Sequence, residues 1–356
     1  MPLSGAARAA CLAACAVACS GSGSTAPSTP ARTYRMGFSD FPPRLTNEAY
    51  VDNLNAWLPH ADGAIMHVSP PWAALLAGDR ADSLVIAQNV PIANVYHAHA
   101  FLLFATIDVT NGLDRSAEAP ELVAAGRSIT EPAVQALYRS WLVAFDTLIA
   151  PDYLGLAAET NLIRLAAPAN VYGAVVTMTN AGAADVLAER AAQKLYVSVQ
   201  VEAAWGLLGG PAGYQGVEQD YADFPFLVAL GLSSYPYFAF ADPGDVPLDY
   251  YARLRNGRAT PMMVVEGGWT SASVTGIASD PAKQSRYISR QRRLLDSARA
   301  IGWMQLDFAD FDTTGFHLPP GSIAPLFAYL GLVTVDLAAK PALAAWDSAF
   351  DEPRTP

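Results

Sequence analysis

Residues 261–271 read PMMVVEGGWTS and residues 152–161 read DYLGLAAETN. In each, a short apolar run ends on a glutamate, Glu266 in the first and Glu159 in the second. Runs of this length bounded by turn residues read as buried strands. The two glutamates lie 107 positions apart (266 − 159). Counting the strand-like runs between and around them decides the fold.

From Tyr34 onward, strand, loop and helix alternate. The strand-like runs are YRMGFSDF (34–41), GAIMHVSPPW (63–72), FLLFATIDVTNG (101–112), DYLGLAAETN (152–161), KLYVSVQVEAAWG (194–206), FLVALGLSSYPYF (226–238), PMMVVEGGWTS (261–271) and WMQLDFADFD (303–312). Helical stretches stand between several of them. Residues 46–62 have Thr46 as N-cap, 131–149 start with Glu131 and Pro132, and 280–302 have Asp280 ahead of Pro281. The runs are apolar almost throughout, as in a parallel sheet covered on both faces. The spacing predicts an α/β fold, a single (β/α)8 TIM barrel over 34–350, with a short tail at 351–356. A doubly wound open sheet would carry a glycine-rich phosphate loop after its first strand. The one glycine-rich stretch, GLLGGPAG (206–213), follows strand five and lacks that spacing.

The chain has 356 residues, 52% hydrophobic and 15% charged, with a net charge of −11. A sequence pI near 4.8 argues against nucleic acid or an anionic membrane surface as partner. A neutral sugar fits better. A monomer without metal or cofactor is expected. His97 and His99 have the look of a metal pair, but they fall before strand three with no third ligand near. The run RQRRLL (290–295) reads as the solvated face of a helix.

Residues 1–19 read as a lipoprotein-type signal peptide. Ala9 to Ala18 are almost wholly small and apolar, too short to span a bilayer. The three cysteines, Cys11, Cys15 and Cys19, all lie there. Cys15 follows a better-placed Leu. Cys19 leaves an apolar core of workable length and precedes a Ser/Gly/Pro-rich stretch, so Cys19 is the expected lipid attachment site. Residues 20–33 read as a flexible linker, and the mature chain as an exported or envelope-anchored protein.

In such barrels the functional residues gather at the C-terminal strand ends. There the sequence places His67 and Trp72 on strand two, Asp108 on strand three, and Glu159 and Asn161 on strand four. Strand five ends with Glu202 and Trp205, and strand six with Tyr235 and Tyr237. Glu266 and Trp269 follow on strand seven, then Trp303, Gln305 and Asp307 on strand eight. Acids, amides and aromatics at one opening suit a sugar, whose ring stacks on aromatics and whose hydroxyls need polar partners. Retaining glycoside cleavage needs two carboxyl groups about 5–5.5 Å apart, one to protonate the leaving oxygen and one to attack. Glu202 is a rival for the acid should strand five be miscounted.

With these residues in place, the chain resembles the retaining (β/α)8 glycoside hydrolases of clan A, over about Tyr34 to Phe350. VVEGGWTS (264–271) is similar to nucleophile segments of plant-type β-1,3-glucanases and of the endo-β-1,4-galactanases, the nearest branch. SSYPYF (233–238) is similar to the segment that supplies a Tyr to the nucleophile. GLVTVDLAAKPALAAWDSAF (331–350) resembles the last helix. The resemblance implies a hydrolase of poly- or oligosaccharides, with Glu159 as acid/base of raised pKa and Glu266 as charged nucleophile. It also implies that Tyr235 or Tyr237 bonds Glu266 and that Trp303 floors the cleavage subsite. One departure stands out. The clan carries Asn before the acid/base Glu, where this chain has Ala158, and Asn161 is the candidate substitute. The alternative is a barrel lipoprotein that binds glycan without cleaving it, or a cell-envelope accessory protein that keeps only the fold.

Overall fold

The computed structural model describes residues 31–316, 318 and 321–355. The signal peptide, Cys19 and the linker up to residue 30 lie outside the described residues. Nine parallel strands form one sheet: β1 (Arg35–Ser39), β2 (Gly63–Val68), β3 (Leu102–Ile107), β4 (Tyr153–Gly155), β5 (Lys194–Tyr196), β6 (Ser198–Gln200), β7 (Leu230–Ser234), β8 (Met262–Gly267) and β9 (Gly302–Gln305). Their order is β5-β4-β3-β2-β1-β9-β8-β7-β6. β5 and β6 are the two halves of the fifth barrel strand, parted at Val197. Val228 N–H, two residues ahead of β7, donates to Leu195 O of β5, and Gly231 N–H to Val197 O, so the segment leading into β7 also bonds the first half and the ring closes. The eight-stranded (β/α)8 barrel is the result.

Two apolar shells explain why the strands are apolar on both faces. Ile65, Phe104, Tyr196, Met263, Val265 and Met304 fill the barrel axis. Met36, Leu103, Leu154, Val199, Val264 and Trp303 face outward into the shell that also holds Trp57, Tyr138, Leu142 and Trp346. Tyr196 sets the width of the interior. A Cβ on Gly155 or on Gly231 would stand 2.6 Å or 2.8 Å from its ring, so both strands keep glycine. Its hydroxyl donates to Ala105 O at 2.8 Å, which satisfies the one polar atom of that ring.

The helices follow the expected pattern over Asn47–Trp57, Pro132–Ile149, Ala169–Glu189, Pro281–Ala298 and Pro341–Phe350. Thr46 and Asp280 cap theirs, accepting from Ala49 N–H at 3.1 Å and Lys283 N–H at 2.7 Å. Several boundaries differ from the expectation. Residues 324–327 form a 3₁₀ turn. The strand expected over 194–206 stops at Gln200, and Val201–Ala204 is a helical turn. Thr160–Ala166 is an additional helix after β4. At the N-terminus, Arg32 belongs to the fold rather than to the linker. Its guanidinium meets the Asp62 carboxylate at 2.9 Å and its N–H bonds Pro353 O at 3.1 Å, which also ties the tail into the barrel.

Candidate active site

β8 carries a register irregularity opposite β7. Leu232 pairs with Val264, but Ser233 pairs with Glu266. Val265 is the extra residue. Simple alternation would send Glu266 outward with Met262 and Val264. With the bulge, Val265 fills the barrel axis and Glu266 also faces the opening above it. Bulges at barrel rims commonly re-aim a side chain in this way.

Glu159 reaches the same opening by another route. It caps the helix Thr160–Ala166 with left-handed backbone, φ 48° and ψ 47°. Such a conformation is uncommon for a residue with a Cβ and is strained by about 1–3 kcal/mol. Its N–H donates to Ser198 Oγ at 2.9 Å. The carboxylate accepts from Arg115 Nε at 2.9 Å and from Ser233 Oγ at 2.7 Å, and the residue is 7% exposed. Ser233 thus joins the two glutamates. Its backbone is in register with Glu266 and its hydroxyl holds Glu159. Both carboxyls line one cavity of about 270 Å³, together with Arg115, Gln200, Tyr235 and Phe327. Glu266 also opens into a second cavity of about 170 Å³, walled by Phe41, Leu306, Phe311 and Phe327 and by Asp307.

Tyr235 Oη donates to Glu266 Oε1 at 2.5 Å. His67 Nδ1 stands 3.9 Å from the other Glu266 oxygen. Burial pushes the His67 imidazole down to about 4, so it is neutral at ordinary pH. Burial first, and the nearby Glu159 second, push the Glu266 carboxyl up to about 7, against the Tyr235 bond and Arg115. Glu266 therefore holds a proton to higher pH than an ordinary carboxyl, while the Glu159 carboxylate is engaged by Arg115. Asp108 is placed at the opening too, where it accepts from the same Arg115 at 2.6 Å.

Other sequence-derived candidates sit elsewhere. Asn161 spends its amide on backbone, donating to Gln200 O at 2.8 Å and accepting from Gln200 N–H at 2.7 Å. It clamps a helix to β6, is 2% exposed and lines neither cavity, so it does not take the place of the Asn missing at Ala158. Tyr237 donates to Leu326 O at 3.0 Å, so of the two tyrosines it is Tyr235 that bonds Glu266. Trp303 is buried on the outward face of β9, edge-on to Tyr34 and 4.6 Å from Trp346, and cannot floor a subsite. The expectation took it for the end of a strand that in fact begins at Gly302. Trp72 is buried at the start of the short helix Trp72–Leu76. Trp269 is buried against Tyr237 and Tyr287, and its indole donates to Ser279. Trp205 stacks on Tyr250 and donates to its carbonyl. None of these four tryptophans lines either cavity.

Glu202 is fully buried and accepts from Gln200 Nε2 (2.6 Å), Ser234 Oγ (2.9 Å), Tyr235 N–H (3.0 Å) and Tyr250 Oη (3.0 Å). It holds the Tyr235 backbone in place rather than facing the opening. Sequence reading missed Arg115 and Ser233. Arg115 is the one basic residue in the loop after strand three, seven positions past Asp108, and that isolation was its signal. Ser233 stood inside the quoted SSYPYF with nothing to separate it from Ser234.

No family model and no curated protein matches the sequence. Solved structures do match in fold. One is the exo-β-1,4-mannosidase Op5Man5 from Opitutaceae bacterium strain TAV5, at TM-score 0.65 and 14% identity over 90% of this chain and 59% of that one. A β-glucuronidase from Ruminococcus gnavus in complex with D-glucuronic acid matches at TM-score 0.58 and 12% identity, over 90% and 49%. Bacteroides uniformis β-glucuronidase 2 matches at 0.60 and 14%, over 91% and 35%. This chain thus spans between about a third and three fifths of the lengths of these neighbours. At such identities the likeness establishes the barrel fold.

Proposed function

We propose that this chain is a retaining glycoside hydrolase acting by double displacement, with Glu266 as nucleophile and Glu159 as acid/base. The observation that carries the reading is the meeting of two glutamates, one after the fourth and one on the seventh barrel strand, in one cavity and bridged by Ser233. The mannosidase and glucuronidases of the same fold support it.

Tyr235 fixes the attacking oxygen's orientation and stabilises its charge. Neutral His67 and Asp108 stand ready for sugar hydroxyls. The pair needs one proton in total. The raised Glu266 carboxyl holds it in the free protein, and on substrate binding it passes to Glu159. Glu266 is then the anion that attacks the anomeric carbon, while Glu159 delivers the proton to the departing oxygen. Water later takes the sugar from Glu266, with Glu159 accepting its proton. Export and lipid attachment at Cys19 remain part of the proposal.

A panel of p-nitrophenyl β-D-glycosides tests it. The wild type releases nitrophenolate from at least one member, and Glu266→Gln lowers kcat by about 10³-fold or more while sugar still binds. A second reading, glycan binding without cleavage, is favoured by Ala158 and by the Arg115–Glu159 ion pair, which occupies the carboxyl that would serve as acid. Binding with no turnover of any member would select it.

A further inference from the structure

We infer that the leaving group of the substrate is an apolar aglycone, an alkyl or aryl group, rather than a second sugar; this rests on the proposed glycosidase reading. The acid/base carboxyl protonates the departing oxygen, so the leaving group lies on its side of the bond. On the Glu159 side the larger cavity is walled by Leu113, Leu162, Leu208, Phe238, Ile323 and Phe327. Leu113 and Ile323 are 41% and 43% exposed, large aliphatic side chains held open at the rim.

Most polar groups among the described lining residues already have partners. Gln200 donates to Glu202 and accepts from Ala203 N–H. Asp114 accepts both the N–H and the hydroxyl of Ser116. Arg115 is paired with Glu159 and Asp108, and the Tyr235 hydroxyl with Glu266. None of the chain's seven tryptophans lines the cavity as a stacking platform. A sugar seated there would bury hydroxyls against carbon without partners, which costs free energy for each one. An alkyl or aryl group meets no such cost, and each fully buried methylene strengthens binding roughly fourfold.

The test uses the sugar that the nitrophenyl panel selects. Rates are measured for its methyl, hexyl and octyl β-glycosides below micelle formation, for the phenyl β-glycoside, and for the β-linked disaccharide. The expected result is a kcat/KM at least about tenfold higher for octyl than for methyl, with the disaccharide no better than methyl. Leu113→Ser and Ile323→Ser should lower the octyl-to-methyl ratio. Because phenoxide departs more readily than an alkoxide, the two are compared by binding to Glu266→Gln: tighter phenyl than octyl glycoside identifies an aromatic aglycone and the reverse a lipid-like one, and both support the inference. A flat alkyl series, or a disaccharide cleaved faster than the octyl glycoside, overturns it. If no glycoside is hydrolysed, the glycosidase reading falls, and calorimetric binding to the wild type decides the inference. Octyl glycoside bound tighter than methyl sustains it, and equal or absent binding overturns it.

Discussion

Two buried acids, Glu202 at the end of the fifth barrel strand and Asp307 just past the eighth, differ in one respect. Glu202 is surrounded by four hydrogen-bond donors drawn from its own segment, from Ser234 and Tyr235, and from Tyr250. Asp307 is 1% exposed and neither of its carboxyl oxygens has a partner among the described residues. Burial raises both pKa values, but for Asp307 the charges of Asp310 and Glu266 add to it, and the rise is large. Lys340, whose charge works against that rise, is itself bonded to Asp310 and Ser271. A satisfied buried acid holds a fold together. An unsatisfied one lining a cavity is a cost carried by the folded protein, and it fits a group reserved for something that enters. Glu159 and Glu266 stand between these extremes, each partly bonded and each open to the same cavity.

That contrast is breakable. Glu202→Ala strands four buried donors and should lose about 3 kcal/mol of stability, seen as a lower midpoint in urea unfolding; a change near zero would mean that the network is ornamental. The next effect is on rate. The pair acts with one proton in total, and in the free protein Glu266 holds it, titrating at about 7, so kcat/KM should fall about tenfold per pH unit above that value. A profile with no fall until well above pH 7 would contradict that single-proton requirement. The smallest effect is Asp307→Asn. The folded pKa of Asp307 lies above its ordinary 3.8, so the folded state holds a proton that the unfolded chain releases. That acid is fully tolerated below about pH 4 and costs stability as pH rises through its folded pKa. The Asn variant should therefore match the wild type in melting temperature at pH 4 and exceed it at pH 7, by an amount on the order of 1 kcal/mol. A lower melting temperature at pH 7 would place Asp307 with Glu202 as a structural acid.

The barrel was legible because its signal is repetitive. Apolar runs punctuated by Gly, Pro and Asp recur at every strand, and an error of a few residues in one of them leaves the count intact. Glu159 and Glu266 were legible because each ends such a run. The aromatic candidates were not. A tryptophan near a strand faces the helices or the opening according to its register, and the sequence does not print the register. Trp303 shows this, lying one residue into β9 rather than at its end. Asn161 failed for a related reason. The chain turns left-handed at Glu159 and starts a helix, so two positions later it faces β6 instead of the cavity. Arg115 comes from a loop whose path is set by tertiary contacts, and its pairing with Glu159 spans 44 positions.

The central claim, that Glu266 attacks the sugar carbon while Glu159 serves the proton, is tested most directly by trapping the intermediate. A 2-deoxy-2-fluoro glycosyl fluoride of the preferred sugar slows the second step and leaves the sugar on the protein. Peptide mass spectrometry should then find one fluoroglycosyl group on the segment containing Glu266, and none on Glu266→Gln. A sugar attached at another residue, or an enzyme that turns over glycosides with inversion and traps nothing, would contradict the account.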